Sequence, residues 1–268
     1  LDRETTAVFL EGRFPLLSGL TGQLGLRHDR VDEGDSSDSE TTPHLGLVWA
    51  LPDNATTLKA NYNEGFKPPS FFALGFPLGG NPALDPERSR NVDLTVSRRI
   101  DAAGSVLQLG VFRTRYEDLV DFDSDTFTNI NRGTIVIQGI EPELDLRINR
   151  HWHVQANASL LDIDERDGLQ PLRNRPERKA AANLAHDFDG GHTAFVGVSY
   201  SGHFLDRSNP TGDIRMSSFT VVNAAGSLRF GALRVSLGID NLLDEAYEQF
   251  VGFPAQDRRM RIELRGEF

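Results

Sequence analysis

Apolar and polar residues alternate along most of this chain, and this pattern limits the possible folds more than any other feature. The clearest segments are 45–51, 58–62, 92–96, 107–111, 154–160, 180–184, 194–200, 233–239 and 260–264. A period of two residues is typical of β-strands with one apolar face, whereas an amphipathic helix repeats every 3.6 residues. With weaker segments near 3–14, 18–31, 131–148 and 217–230, the pattern predicts an all-β chain of about thirteen antiparallel strands.

Composition excludes several classes of protein. The formal net charge of −11 argues against a nucleic-acid partner, because phosphate binding needs a basic surface. The chain has no cysteine, which excludes disulfides, thiolate catalysis and cysteine-based zinc sites. No stretch approaches the ~18 consecutive apolar residues of a membrane-spanning helix. The low mean hydropathy of −0.36 is nevertheless compatible with a transmembrane β-barrel, in which only every second residue faces lipid.

The connections between the predicted strands are alternately short and long. Short turns are expected near 14–17, 52–54, 101–104, 149–151, 187–191 and 230–231. Long loops are expected near 32–43, 66–88, 117–130, 163–176, 204–216 and 243–257. An up-and-down antiparallel sheet would place all the long loops at one end of the strands. This arrangement predicts an outer-membrane β-barrel with short periplasmic turns and long extracellular loops.

The end of the chain fits this interpretation. Met260, Ile262 and Leu264 share one face of the last predicted strand, and the chain ends on the aromatic Phe268. We interpret Phe268 as a membrane-insertion signal. An odd number of strands would leave the amino terminus outside the cell, whereas bacterial single-chain barrels have an even number. We therefore expect further strands before Leu1.

Several motifs carry a family resemblance. EGFKPPSFFAL (64–74), followed by GNPALDPERSRNVDL (80–94), resembles the mid-barrel signature of TonB-dependent outer-membrane receptors. Segments 131–148, 172–188 and 235–268 are similar to later elements of that family, in the same order. The last of them contains an Asn-Leu-apolar-Asp-x-x-Tyr element at 241–247. The resemblance covers most of the chain.

The resemblance implies a transport function. Such receptors have a barrel of about 22 strands closed by a plug, so residues 1–268 would be one β-barrel segment lacking the plug domain and the first strands. The parent protein would take up a scarce nutrient across the bacterial outer membrane, powered by the TonB complex through the plug. A ferric siderophore or similar metal chelate is the expected substrate, with cobalamin and oligosaccharides also open. The alternatives are a passive porin-like or structural barrel of about 12–14 strands and a soluble β-sheet binding module.

The candidate ligand-binding residues are aromatic side chains of the long loops. They are Phe66, Phe71, Phe72, Phe76, Tyr116 and Phe250. Aromatic loop residues can stack on a ligand, but they also form membrane-edge girdles or small cores within a loop. No catalytic motif is present, and we expect neither an enzyme nor a cofactor.

The acidic run, the HWH segment and the strand arginines are interpreted as structural features rather than as metal or ligand sites. The acidic run DEGDSSDSE (32–40) could offer oxygen ligands to Ca²⁺, but it lacks the EF-hand spacing, and a solvated loop is preferred. His151 and His153 of HWH lack an evident third metal ligand, so Trp152 is interpreted as an interface anchor. We expect lumenal arginines, among them Arg234, Arg261 and Arg265, to pair with carboxylates such as Glu263 across strands.

Overall fold

The structure is a computed structural model that describes residues 2–34, 36–123, 125–166, 169, 171–208 and 212–266. Nearly all regular structure is β. The strands are β1 (Glu4–Leu17), β2 (Leu20–Glu33), β3 (Ser36–Ala50), β4 (Thr56–Lys67), β5 (Glu87–Arg99), β6 (Val106–Glu117), β7 (Leu119–Asp123), β8 (Thr128–Arg132), β9 (Ile135–Arg147), β10 (Trp152–Glu165), β11 (Arg178–Asp187), β12 (Thr193–Ser201), β13 (Phe204–Ser208), β14 (Gly212–Met216), β15 (Phe219–Phe230), β16 (Leu233–Asp240), β17 (Glu248–Phe250), β18 (Phe253–Pro254) and β19 (Arg259–Gly266). A five-residue helix, α1 (Phe71–Gly75), follows β4. No helix within the described ranges is long and apolar enough to span a membrane.

Thirteen strands form one antiparallel sheet, as the alternation predicts. Their order is β1-β2-β3-β4-β5-β6-β9-β10-β11-β12-β15-β16-β19, so each strand lies beside the next long strand of the chain. The remaining six strands form the two-stranded sheets β7-β8, β13-β14 and β17-β18 inside three of the long connections. Within the described residues, β1 and β19 each have a single neighbour, so this sheet does not close on itself.

The described residues divide into two compact units, which are treated separately below. The first unit comprises Leu1–Val96, Gly110–Gly139 and Asp162–Gln170. The second comprises Ser97–Leu109, Ile140–Leu161 and Pro171–Phe268.

Strand register confirms that one face of the sheet is apolar in each unit. In the second unit, one row across neighbouring strands consists of Leu184, Val196, Ala224, Ile239 and Met260. The adjacent row on the opposite face contains Asn183, Gly197 and Asn223. In the first unit, Leu24, Leu45 and Tyr62 form an equivalent apolar row. Many of these large apolar side chains are exposed, which is what a lipid-facing barrel wall requires.

The prediction of a long loop at 32–43 is wrong. β2 and β3 pair without interruption up to Asp32 opposite Ser37 and Glu33 opposite Ser36. Ion pairs stabilise this extension: Arg30 Nη2 lies 3.1 Å from Asp32 Oδ1, and Glu40 Oε2 accepts from Arg88 Nε of β5 at 2.7 Å. The acidic run is therefore mostly strand, because cross-strand register and ion pairs outweigh the low strand propensity of Asp and Ser.

The first turn also lies further along the chain than predicted. Residues 14–17 belong to β1, and the turn is at Ser18 and Gly19. Gly19 has a φ of 76°, and a Cβ there would lie 2.3 Å from the carbonyl oxygen of Ala50. Only glycine fits this position, which gives the hairpin its tight turn.

Candidate functional site

The first unit contains a folded assembly of two long connections, which we call the first loop cluster. It consists of residues 68–86, between β4 and β5, and the described residues of 118–134, between β6 and β9. Ser70 caps α1, since its Oγ accepts a hydrogen bond from the backbone N–H of Ala73 at 3.1 Å. Ala73, Leu74 and Leu84 are buried, and the half-buried Val120 packs against them. The two connections therefore share a small hydrophobic core.

Three asparagine side chains join the two connections. The Nδ2 atom of Asn129 donates to the carbonyl oxygens of Gly79, at 2.8 Å, and Ala73, at 3.3 Å. The Nδ2 atom of Asn81 donates to the carbonyl of Asn129 at 2.9 Å. Asn131 accepts from the N–H of Asp85 at 2.8 Å and donates to the carbonyl of Asp85 at 2.9 Å. These bonds satisfy loop backbone groups that no strand ladder can reach.

The GNPALDPERSR segment has a defined role in this assembly. Gly80 N–H donates to the carbonyl of Phe76 at 2.7 Å, and a Cβ on Gly80 would lie 2.5 Å from the Phe76 nitrogen. Pro86 is buried, and β5 begins at the next residue, Glu87. The Glu87 carboxylate accepts from the N–H of Val120 at 2.9 Å and pairs with Lys67 Nζ at 2.8 Å. The segment therefore anchors the loop where the strand begins.

An exposed apolar surface lies on the first loop cluster, and we call it the aromatic patch. It consists of Phe72, Phe76, Leu78, Phe122 and Phe127. Phe72 stacks on Phe76 with ring centroids 4.4 Å apart, and Phe122 meets Phe127 edge to face at 5.2 Å. A Cβ on Gly79 would lie 3.1 Å from the Phe122 ring, so the hairpin that carries Phe122 packs against the segment that follows Phe76. Phe72 is 64% exposed and Phe127 is 53% exposed.

The backbone of Phe127 is strained. Its φ of 58° is in the left-handed region, which bulky residues rarely adopt. This conformation presents the ring at the tip of the β7-β8 hairpin, where it contacts Phe122. Strain of this kind persists where the surrounding structure imposes it, and it is frequent at binding sites.

The structure brings together only some of the predicted aromatic residues of the first unit. Phe72 and Phe76 lie in the aromatic patch, whereas Phe71 lies under the guanidinium of Arg3, 4.8 Å from its carbon to the ring centroid. Phe66 is half-buried and lines a recess beside Arg3, and Tyr116 is half-buried near the end of β6. Phe122 and Phe127 were missed, although two lone phenylalanines in the polar segment 121–129 are an available signal.

The second unit contains the second loop cluster, formed by residues 171–176, 202–208, 212–218 and 241–258. The buried carboxylate of Asp206 accepts from the N–H of Val251 at 2.7 Å and from Asn174 Nδ2 at 3.2 Å. Arg173 Nε lies 2.9 Å from Asp213 Oδ1. The predicted residue Phe250 is half-exposed and lines a recess beside Lys179, Phe204 and Phe219.

The Asn-Leu-Leu-Asp motif at 241–244 ties this cluster to the sheet. Asn241 is buried, and its side chain both donates to and accepts from the backbone of Glu245 at 2.9 Å. Asp244 accepts from the N–H of Arg258 at 2.9 Å and from its guanidinium at 3.2 Å. The backbone N–H and the positive charge of Arg258 hold the pKa of Asp244 below its usual range. Backbone N–H groups of Asn241 and Leu242 also donate to Asn223 Oδ1 and the Val222 carbonyl of β15, which joins the motif to the sheet.

The two histidines of the HWH segment lie beside different groups. His151 Nδ1 lies 2.6 Å from the carbonyl oxygen of Asp187, and His153 Nε2 lies 2.9 Å from Asp145 Oδ1. The two imidazoles therefore have different partners, and the described residues contain no group of three potential metal ligands. Trp152 instead packs on His186, with ring centroids 4.1 Å apart. Phe268 lies outside the described residues, so its role as an insertion signal stays a prediction.

Comparison with known proteins identifies the family. Residues 1–242 match the family model described as TonB dependent receptor-like, beta-barrel. The chain is 26% identical over 246 residues to the vitamin B12 transporter BtuB of Vibrio cholerae serotype O1. The match covers 89% of this chain and 39% of the relative, so the chain spans about two fifths of the relative's length.

Solved structures show the same fold. The ferripyoverdine receptor of the Pseudomonas aeruginosa outer membrane matches 99% of this chain with a TM-score of 0.81 and 18% identity, over 39% of its own length. The ferric-catecholate import receptor Fiu of Escherichia coli K12 matches 99% of the chain with a TM-score of 0.82 and 17% identity, over 45% of its length. Members of the family are receptors and transporters rather than enzymes. The chain belongs to the TonB-dependent receptor-like β-barrel family of Gram-negative outer membranes.

Proposed function

We propose that the chain forms part of the barrel wall and outer loops of a TonB-dependent transporter for a metal chelate, with a ferric siderophore as the first candidate. Membership of the family supports this proposal, as does the fold shared with two iron-chelate receptors. The chain spans only 39% of the length of its curated relative. We therefore propose that another part of the same protein supplies the plug and the segment that binds TonB.

The observation that carries the proposal is the aromatic patch. Exposed aromatic rings on a folded loop are unfavourable in water unless a ligand or partner covers them. The patch is held by a small core and by the Asn129 bonds to the backbone of residues 73 and 79. A fixed aromatic surface stacks on flat or apolar ligand groups with little loss of conformational entropy. We propose that Phe72 and Phe76 contact the chelate.

Charge around the patch favours a chelate with little negative charge. Asp121, Asp123 and Asp125 lie on the β7-β8 hairpin, beside or between the patch residues Phe122 and Phe127. The nearby Arg132 guanidinium is 3% exposed and bonds Asp121 at 3.0 Å, so it is not available to an anionic ligand. Like charges disfavour binding of a strongly anionic chelate. Vitamin B12, the substrate named for the relative, is therefore a second candidate.

Equilibrium binding to the natural protein, purified in detergent, tests the proposal. Vitamin B12 and a set of ferric siderophores would be titrated separately. Replacing Phe72 and Phe76 together by alanine is expected to weaken binding of the true ligand about tenfold or more, since each buried aromatic contact contributes about 1 kcal/mol or more. The control is Phe230→Ala, which removes a similarly exposed ring at the β15-β16 turn. Equal affinities of the two variants would reject the proposed role of the patch.

A passive porin remains the competing function, and conductance separates the two. The open edges at β1 and β19 give no support to a barrel closed by these strands alone. A plugged transporter is expected to conduct poorly in planar bilayers. Large steady channels formed by the natural protein would favour the porin, even if the protein also bound a chelate.

A further inference from the structure

The second loop cluster forms a recess over the polar face of its sheet strands, which we call the Lys179 recess. Its volume is about 280 Å³, and the residues that line it include Asn174, Lys179, Phe204, Phe219, Gln249 and Phe250. A cavity of about 150 Å³ can hold one benzene molecule. The recess therefore has room for an aromatic ring with a polar substituent.

The positive charge of the recess comes from Lys179. This residue lies directly opposite Ser201 of β12, which lies directly opposite Phe219 of β15. The three residues form one row on the same face as Asn183, because side chains four residues apart in a strand point the same way. Among the described residues that line the recess, Lys179 is the only one with a formal charge. The recess thus combines one positive charge with aromatic rings.

Lys179 has no carboxylate partner among the residues that the structure describes. Arg261, also on the polar face of the sheet, lies 2.9 Å from Asp240, as expected for arginines on that face. On the side away from the recess, Lys179 lies opposite Ser159. The Ser159 hydroxyl donates to the Glu141 carboxylate at 3.4 Å, and Lys179 forms no ion pair with that carboxylate. Its charge is therefore available to a ligand.

The recess also offers polar donors without an opposing carboxylate. Three acids, Glu177, Asp206 and Glu248, are near the lining residues in the chain, but the described lining contains none of them. The buried Asp206 is bonded to the groups described above, and Glu248 accepts a backbone N–H at 3.1 Å. The Gln249 amide and the Ser201 hydroxyl form no hydrogen bond within the described ranges. Both can donate to an oxyanion that Lys179 attracts.

The aromatic side chains of the recess are held in place by the protein. Phe219 stacks on Tyr247 with ring centroids 4.2 Å apart. Phe204 is buried and Phe250 is half-exposed, and the Asp206 carboxylate joins the two segments that carry these rings. A ring that enters such a recess finds flat apolar surfaces that lose little conformational entropy on binding.

We propose that the Lys179 recess binds a planar aromatic ring that carries a carboxylate. Lys179 pairs with the carboxylate, Gln249 and Ser201 donate to it, and Phe219 and Phe250 contact the ring. The ring belongs to a small free acid or is a substituent of a larger ligand. The proposal involves no residue of the aromatic patch, so its failure would leave the role proposed for that patch unaffected.

Titration of the natural protein in detergent with para-fluorobenzoate, followed by fluorine NMR, tests this proposal. Lys179→Gln is expected to raise the dissociation constant about tenfold, because a charge-assisted hydrogen bond is lost. Phe250→Ala, which removes a ring contact, is expected to raise it about fivefold. The matched controls are Lys59→Gln and Phe230→Ala, and neither should change it. Lys59 is an exposed strand lysine that, like Lys179, has no ion pair among the described residues.

A comparison of ligands on the unaltered protein gives a second test that does not depend on the folding of any variant. Cyclohexanecarboxylate keeps the charge but lacks the flat ring, and para-fluorobenzyl alcohol keeps the ring but lacks the charge. Both are expected to bind more weakly than para-fluorobenzoate. The proposal would be overturned by the absence of saturable binding, by equal dissociation constants for Lys179→Gln and Lys59→Gln, or by equally strong binding of the neutral alcohol.

Competition separates the two sources of the ring. Each ferric siderophore of the set titrated above would be added to the protein already saturated with para-fluorobenzoate. Displacement by a siderophore that binds the protein identifies the ring as a substituent of that ligand. Simultaneous binding of the siderophore and para-fluorobenzoate identifies the ligand of the Lys179 recess as a separate small acid.

Discussion

The two loop clusters hold long connections in place by different chemistry. In the first, the two connections are joined to each other by the neutral amides of Asn81, Asn129 and Asn131, and the one ion pair described above, Arg132 with Asp121, lies within a single connection. The second uses carboxylates, with Asp206 bonded to Val251 and Asp244 bonded to Arg258. Hydrogen bonds to charged groups are stronger, but they depend on pH and salt, whereas amide bonds do not titrate. We therefore expect the stability of the first cluster to depend less on pH and salt than that of the second.

The largest expected effect is that of Asp206→Ala. The substitution leaves the N–H of Val251 and the amide of Asn174 without their acceptor, and we expect a loss of about 3 kcal/mol in the free energy of local opening. Hydrogen exchange of the Val251 amide in the natural protein measures this loss. Asp213→Ala, which removes a more exposed partner of Arg173, is expected to cost about 0.5 kcal/mol. Similar exchange rates of the Val251 amide in the two variants would show that the Asp206 carboxylate does not stabilise the second loop cluster more than Asp213 does.

Asn129→Ala is expected to have the next largest effect. Two side-chain hydrogen bonds are lost, although the carbonyls of Ala73 and Gly79 keep the backbone N–H donors of Asn81 and Asn129, and the loss should cost about 2 kcal/mol of local stability. Faster hydrogen exchange or proteolysis within residues 71–86 would report it. Thr128→Ala is the matched control, because the Thr128 hydroxyl makes only a long bond of 3.4 Å to the same Gly79 carbonyl. If residues 71–86 exchange or are cleaved at the same rate in both variants, the small hydrophobic core alone holds the first cluster.

Phe127→Gly is expected to stabilise the β7-β8 hairpin while weakening ligand binding. Glycine adopts a φ of 58° without strain, so the hairpin should gain about 1 kcal/mol. The same change removes one ring of the aromatic patch. Slower hydrogen exchange in β7 and β8, together with a higher dissociation constant for the chelate, is the expected pair of results. Phe122→Gly, which also removes a patch ring, should instead speed exchange in the hairpin. If Phe127→Gly destabilises the hairpin instead, the Phe127 ring contributes more to its stability by packing on Phe122 than the backbone strain costs.

The smallest expected effect is a pH dependence confined to the second loop cluster. Because the pKa of Asp244 is lowered in the folded protein, its contribution to stability is fully present above the unfolded value of about 3.9 and is lost as pH falls through the folded value. Hydrogen exchange around Arg258, corrected for the intrinsic rate, should therefore accelerate as pH falls below about 4. Asp244→Asn should remove most of that dependence. The amide bonds of Asn129 should show none over the same range.

Much of the fold can be predicted from the sequence because the strands are specified by the alternation of apolar and polar residues within short segments. The alternation at 92–96 and 233–239 predicts which residues face lipid; the alternating exposure of β5 agrees with the first, and the register of β16 agrees with the second. The loop structures depend on contacts between residues far apart in the chain. Asn129 bonds Ala73, 56 residues away, and no period of the sequence records that contact.

The candidate site was only partly predictable for the same reason. Phe72 and Phe76 are conspicuous in a phenylalanine-rich segment, whereas Phe122 and Phe127 lie on the β7-β8 hairpin, which is joined to residues 73–79 by contacts such as the Asn129 bonds. The prediction of a loop at 32–43 was wrong because it rested on the acidic, polar composition of the segment, which is typical of a solvated loop. The ion pairs of Arg30 with Asp32 and of Arg88 with Glu40 stabilise strand structure there.

The length of the β2-β3 hairpin has a consequence for detecting the protein on cells. A strand needs about 9–11 residues to cross the hydrocarbon region, whereas β2 has 14 residues and β3 has 15. About four residues at roughly 3.4 Å each add some 14 Å of ribbon along the strands beyond the lipid. The last described pair of this hairpin, Glu33 opposite Ser36, lies at the same strand ends as the long loops, which face the medium in outer-membrane barrels. An antibody against residues 30–38 should therefore label intact bacteria and report surface display without any substrate.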